Sequence, residues 1–573
     1  MAPPGVGPDC IIRTAVYNDS IGLEAGGPEG TASSPFLSRT GVLMTYSAFR
    51  FLMMVVPLLL AVPAASGASD QLGKVTFPTS CSASVQADFD RAVALLHSFW
   101  LDAAGKAFAT VAQADAGCAM AHWGTAMVKL GNPLAGAQPR KALEEGLEAI
   151  QRAKAANPRT PRERDFVEAL ETFYRDSDKV DHRTRALAYE KAMEQLAQRH
   201  PADREAAIFY ALSLNMTALP TDKTYANQLK AAGILEKVFV EQPQHPGVAH
   251  YLIHSYDYPP IATKGLTAAR RYASIAPAAP HARHMPSHVF TRVGAWAESV
   301  ESNRSSAAVA DQASKLHAQD YMVYGYLQLG QDAEARRVMD EVRAIPTINM
   351  QHPLVFASGY AIAAIPARHA LERGQWTEAA ALTLPASEFE WSKWPQAEAL
   401  VVFARALGAS RAGNAATARQ DLERLDALHT ALIGMKQGYW AGEVDVQRQI
   451  VRAWNARVEG KPDEAIRLMR AAADAEDLTE KHIVSPGRLV PARELLGEML
   501  LEANRAPEAL AAFEAAQGRE PNRLRGYLGA ARAAKAAGDT AKARANYERL
   551  VGLTARADTQ RPEIKEAKVF LGR

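Results

Sequence analysis

A 34-residue recurrence constrains this 573-residue chain more than any other feature in it. His250 and His284 stand one period apart. So do His254 and His288, Pro243 and Pro277, Ala509 and Ala543, and Phe513 and Tyr547. A fixed period of roughly 20–50 residues marks an array of supersecondary units, each packed on its neighbours alone. Within the period, small residues alternate with large ones. Gly497, Leu500, Ala509, Phe513, Ala516 and Pro521 fit one unit, and Ala531, Ala534, Ala543, Tyr547 and Leu550 fit the next. The small residues let two antiparallel helices approach closely, and the proline ends the second helix.

That pattern is the tetratricopeptide repeat, so the expected fold is all-α: a superhelical solenoid of roughly ten antiparallel helix pairs. Composition agrees. Apolar residues make up 48% of the chain with alanine dominant, and runs of alternating β-branched residues are nearly absent. The net charge of +2, with both signs interspersed, gives no footprint for nucleic acid or an anionic membrane surface.

Residues 1–43 lack periodicity and read as a disordered leader or a stretch upstream of the true start. Residues 44–68 read as a signal peptide: Arg50 is the charged region, Phe51 to Val62 the apolar run, and Pro63 to Ala68 a small-residue cleavage region. The apolar run falls short of the ~20 residues that span a bilayer, so the mature chain is expected to carry no membrane span. An uncleaved anchor is the alternative. The chain is accordingly expected to be periplasmic or secreted. An N-terminal arm over 69–84 precedes helices over 85–243, central units over 244–345, further helices over 346–476, a loop over 477–490 and C-terminal repeats over 491–573. The stretches 131–165 and 344–360 read as insertions. Cys10 falls in the leader, which leaves Cys81 and Cys118 for one disulfide in an exported protein; two buried thiols are the alternative.

Several stretches carry a resemblance. They are L-L-H-S-F-W-L-D-A-A at 95–104, G-C-A-M-A-H-W-G at 117–124, H-Y-L-I-H-S-Y-D at 250–257, H-A-R-H-M-P-S-H at 281–288 and P-A-R-E-L-L-G-E-M-L-L-E at 491–502. Through them, most of residues 77–553 resembles a family of exported bacterial tetratricopeptide-repeat proteins with no settled activity. Relatives carry N-H-P-L-W after the second helix. Here the text is G-N-P-L-A-G over 131–136, without that histidine and tryptophan.

Six of the fifteen histidines lie between residues 250 and 317. In repeat register, His250 and His284 take the fifth position of successive first helices, and His254 and His288 the ninth. Asp320 and Tyr324 take the same two positions in the third unit. His281 and His317 share the second position, and Asp257 holds the twelfth. These positions share one helix face. The resemblance puts that face on the concave groove. Imidazole and carboxylate are ligands for zinc, copper, iron and manganese. The candidate metal ligands are therefore His250, His254, Asp257, His281, His284, His288 and Asp320. His317, Tyr321, Tyr324, Arg292 and His97 are placed around them as orienting or ligand-binding groups. Pro286 is expected to start its helix late and leave His281 and His284 on a loop.

Signatures of zinc peptidases, serine hydrolases, dinucleotide binding and P-loops are all absent from the sequence, so no nucleotide or organic cofactor is indicated. Two readings remain. One is a binding protein whose groove takes a peptide, a protein or a small ligand. The other is a transition-metal site, for metal handling or for activating water or oxygen.

Overall fold

The structure, a computed structural model, describes residues 70–385 and 388–573. The leader, the signal-like segment and Cys10 lie outside the described residues. Every regular element among them is helical, and no described helix is long and apolar enough to cross a membrane. Taking Pro280–His284 and Pro286–Arg292 as one broken helix, the elements form twelve successive pairs closed by Pro562–Phe570.

This agrees with the expected solenoid of roughly ten pairs, but residues 131–165 are not an insertion on it. Arg140–Ala155 is a full helix packed on Ala119–Leu130. The next pair opens at Thr160, whose hydroxyl accepts the Glu163 N–H while the Glu163 carboxylate accepts the Thr160 N–H. Of residues 344–360, only the first part is a connection, since Val355–Glu372 is helical.

Helices meet closely where the sequence offers no side chain. A Cβ at Gly124 would stand 2.3 Å from the Phe108 ring. Gly294 combines a φ of +68° with a backbone approach, since a Cβ there would stand 2.5 Å from the Pro521 carbonyl. That contact joins the central units to the C-terminal repeats.

The N-terminal arm is docked. Phe77 is fully buried among Phe89, Trp123 and Phe166, a burial that contributes about 2–3 kcal/mol. Cys81 and Cys118 are paired across 37 residues with Cα atoms 4.8 Å apart. After the Pro462–Asp477 helix the chain leaves helical structure until Ala492–Glu502. The intervening stretch crosses back over earlier helices. Tyr225 donates to Glu480 at 3.1 Å, Lys481 donates to Asp257 at 3.2 Å, and the Arg368 guanidinium donates to the carbonyls of Gly487 and Arg488.

Candidate metal centre

The Pro246–Tyr256 helix carries His250 and His254 one turn apart, and both are buried. The next unit carries His281 and His284 on Pro280–His284 and His288 on Pro286–Arg292. Pro286 does not leave these residues on a loop. Met285 keeps helical dihedrals of −54° and −34°, its N–H reaches the His281 carbonyl at 2.9 Å, and the proline occupies a first-turn position. His317 comes from Gln312–Gln328.

The six imidazoles gather into two triads. His250, His254 and His281 bring one ring nitrogen each within 4.8 Å of the others, and so do His284, His288 and His317. In the first triad, Nε2 of His250 lies 3.1 Å from Nε2 of both His254 and His281. In the second, Nε2 of His284 lies 3.1 Å from Nε2 of His288. The triads adjoin: the His281 and His284 ring centres are 6.0 Å apart, and those of His254 and His288 are 6.2 Å apart.

Hydrogen bonding on the far side of three of the rings fixes where their protons are. Nδ1 of His250 donates to the His97 carbonyl at 2.6 Å. Nδ1 of His288 faces the Asp257 carboxylate at 2.9 Å. Nδ1 of His284 faces the Asn303 side-chain oxygen at 2.6 Å, and the Asn303 amide nitrogen donates to the Ser299 carbonyl, which sets that side chain's orientation. A neutral imidazole with its proton on Nδ1 has a bare lone pair on Nε2. His284 and His288 therefore aim two lone pairs at each other across 3.1 Å. His250 offers a single lone pair to two neighbours. Carbonyl, amide oxygen and carboxylate behind the rings are the partners that orient metal-bound histidine.

Electrostatics keeps the rings neutral. Burial, reinforced by neighbouring imidazoles, holds His250, His254, His281, His284 and His317 well below the ordinary histidine range. Burial also lowers His288, while Asp257 opposes it. Burial by itself would raise the Asp257 carboxyl, but Lys481 and Arg292 outweigh it and hold the group well below the carboxylate range. Burial pushes Lys481 down to about 8.

A third cluster shows what a satisfied arrangement looks like. Glu205 accepts from His97 at 3.0 Å and from His245 at 2.9 Å. Nδ1 of His97 then accepts from the Tyr251 hydroxyl, and Nδ1 of His245 from the Val248 N–H. Every ring nitrogen is used, so this cluster is a hydrogen-bonded girder. His97 reaches the centre through its backbone carbonyl rather than its ring.

The structure redistributes the residues proposed from sequence. Asp257 stands behind His288 as its hydrogen-bond partner, tied also to Arg292 at 2.8 Å. Asp320 belongs to neither triad; it pairs with the buried Arg368 at 3.2 Å. His317 moves from the surroundings into the second triad. The Tyr321 hydroxyl lies 3.3 Å from Nε2 of His288. Tyr324 faces away toward Arg523, Glu520 and the Arg368 guanidinium. The imidazoles do not line an open groove. His250, His254, His284 and His288 are buried, none more than 7% exposed, and residues 478–491 cross above them.

Lys481 and Asn303 escape sequence reasoning. The break in the repeat at 477–490 marks Lys481 as unusual without saying what it meets, and nothing marks Asn303.

No protein-family model matches this chain, and no curated protein does. Among solved structures, a chain of the Naa15/Naa10 complex bound to HypK-THB is similar at 11% identity over 84% of this chain and 71% of that one, with a TM-score of 0.23. The human IFIT1 dimer with m7Gppp-AAAA is similar at 14% identity over 76% and 90%, with a TM-score of 0.34. Similarity this distant carries no inference about site or activity.

Proposed function

We propose that this protein binds two transition-metal ions, one in each histidine triad, on a tetratricopeptide-like scaffold. The observation that carries the reading is the opposed pair of Nε2 lone pairs on His284 and His288. A proton could sit between them only by charging a buried ring, which burial opposes. A metal ion about 2.0–2.1 Å from each nitrogen fits the same separation.

The donor set narrows the metal. Imidazoles without thiolates or carboxylates suit copper, zinc, iron or nickel, and favour copper or zinc over manganese. Three protein ligands leave a coordination position open, which is the arrangement of reactive rather than closed structural sites. The reading is therefore a metalloprotein able to bind an exogenous group. The Cys81–Cys118 pair and the signal-like residues 44–68 support export to an oxidising compartment.

The test is elemental analysis of full-length protein made without a histidine tag. Two ions per chain are expected. His254→Ala and His288→Ala should each lose about one ion, and a His250→Ala/His284→Ala double variant both. Metal far below one ion per chain, unchanged in the double variant, would sink the proposal.

A further inference from the structure

We infer that the two ions act as one centre that takes a single small anion, of two or three atoms, between them and beneath the Lys481 ammonium. The inference rests on the two-ion reading above.

Charge balance is the first reason. All six proposed ligands are neutral imidazoles, so two divalent ions would bring four positive charges into a buried site. The nearby carboxylates are already matched. Asp257 holds Arg292 and Lys481, Glu480 holds Lys223 with Arg292 and Arg519 close by, and Asp320 holds Arg368. An unbalanced charge away from water is expensive, so an anion from solution is the remaining source of compensation.

Geometry is the second. Ring centres 6.0 and 6.2 Å apart across the two triads make the proposed ions neighbours, and each retains an open position. One small ligand can then serve both.

Lys481 is the third. Its side chain is 4% exposed, and among the described residues its ammonium has one acceptor, Asp257, for three N–H groups. The Asp257 oxygen that accepts from it is the same oxygen that faces Nδ1 of His288 at 2.9 Å, which seats the ammonium beside the second triad. Lys481 arrives on residues 478–491, which share no helix with any ligand. A cation brought from so far along the chain to a site of proposed metal ions is explained if an anion lies there too.

Azide is the probe. Full-length protein carrying two Cu(II) ions, verified by elemental analysis, is titrated with azide while the azide-to-copper charge-transfer absorption is followed. One azide per copper pair is expected. Lys481→Met should weaken azide binding at least tenfold with both ions retained, and Lys481→Arg should bind within about threefold of wild type. Two azides binding independently, or no azide binding at all, would overturn the inference while leaving the two-ion reading intact. So would unchanged affinity in Lys481→Met. Loss of copper in Lys481→Met would make the lysine a support for the histidines and overturn its anion role. A wild-type chain that holds no copper pair overturns both readings.

Discussion

The backbone carbonyl of His97 accepts the Nδ1 proton of His250 at 2.6 Å, across 153 residues of sequence. The His97 ring is fixed separately, by Glu205 and Tyr251. The first triad is thus aimed by the end of the Gln86–His97 helix.

Gly247→Ala tests that coupling. In an exposed helix this change stabilises slightly. Here the new Cβ would stand 2.4 Å from Nδ1 of His97. Overpacking of this kind costs about 1–3 kcal/mol. The expected result is a lower denaturant midpoint in urea unfolding, together with weaker metal binding in the first triad.

Asn303→Leu removes the acceptor behind His284. Loss of such a partner lowers metal affinity about 10–100-fold. Asn303→Asp keeps an acceptor and should retain affinity. Competition against a chromophoric chelator measures both, and equal affinity in all three proteins would count against a metal in the second triad.

Much of this arrangement is legible in the sequence, and the boundary of legibility is physical. The 34-residue step places His250 over His284 and His254 over His288, because periodicity reports which face a side chain occupies. Periodicity cannot report how a helix divides its side chains between two neighbours. His281 shares a broken helix with His284 yet turns toward His250. Asp320 has the right register, but the Arg368 guanidinium claims it. Partners that are backbone atoms, such as the His97 carbonyl, leave no residue-type signal at all.

The Cys81–Cys118 pair closes a loop of 37 residues that ties the arm to the start of the Ala119–Leu130 helix. By loop-closure entropy, its removal in a Cys81→Ser/Cys118→Ser variant should cost about 4 kcal/mol. Chemical denaturation of the variant beside the oxidised protein measures the difference.

Glu476 supplies a pH dependence away from the histidines. Burial pushes its carboxyl up to about 8, against the relief from Arg488, whose guanidinium is 3.7 Å away and also engages Glu443. The folded protein holds this proton more tightly than the unfolded chain does. The contribution is therefore complete below the ordinary glutamate range and disappears as pH rises toward 8. With the side chain 12% exposed, the swing between pH 5 and 8 should be about 2–4 kcal/mol. Glu476→Gln should abolish it, and the difference in unfolding free energy between the two proteins across that range isolates the effect.

The stretch over residues 478–491 also sets an order of events. Lys481 lies 164 residues beyond His317 in the chain. At typical synthesis rates, all six imidazoles emerge on the order of 10–30 s before the segment that covers them. A nascent chain thus holds its histidines uncovered, and the cover and its ammonium arrive later. Metal supplied during that interval meets histidines with nothing above them, whereas metal supplied afterwards meets them beneath residues 478–491, with His281 and His317 the partly exposed members. Delivery timed to synthesis and delivery to finished protein should therefore load this molecule at different rates.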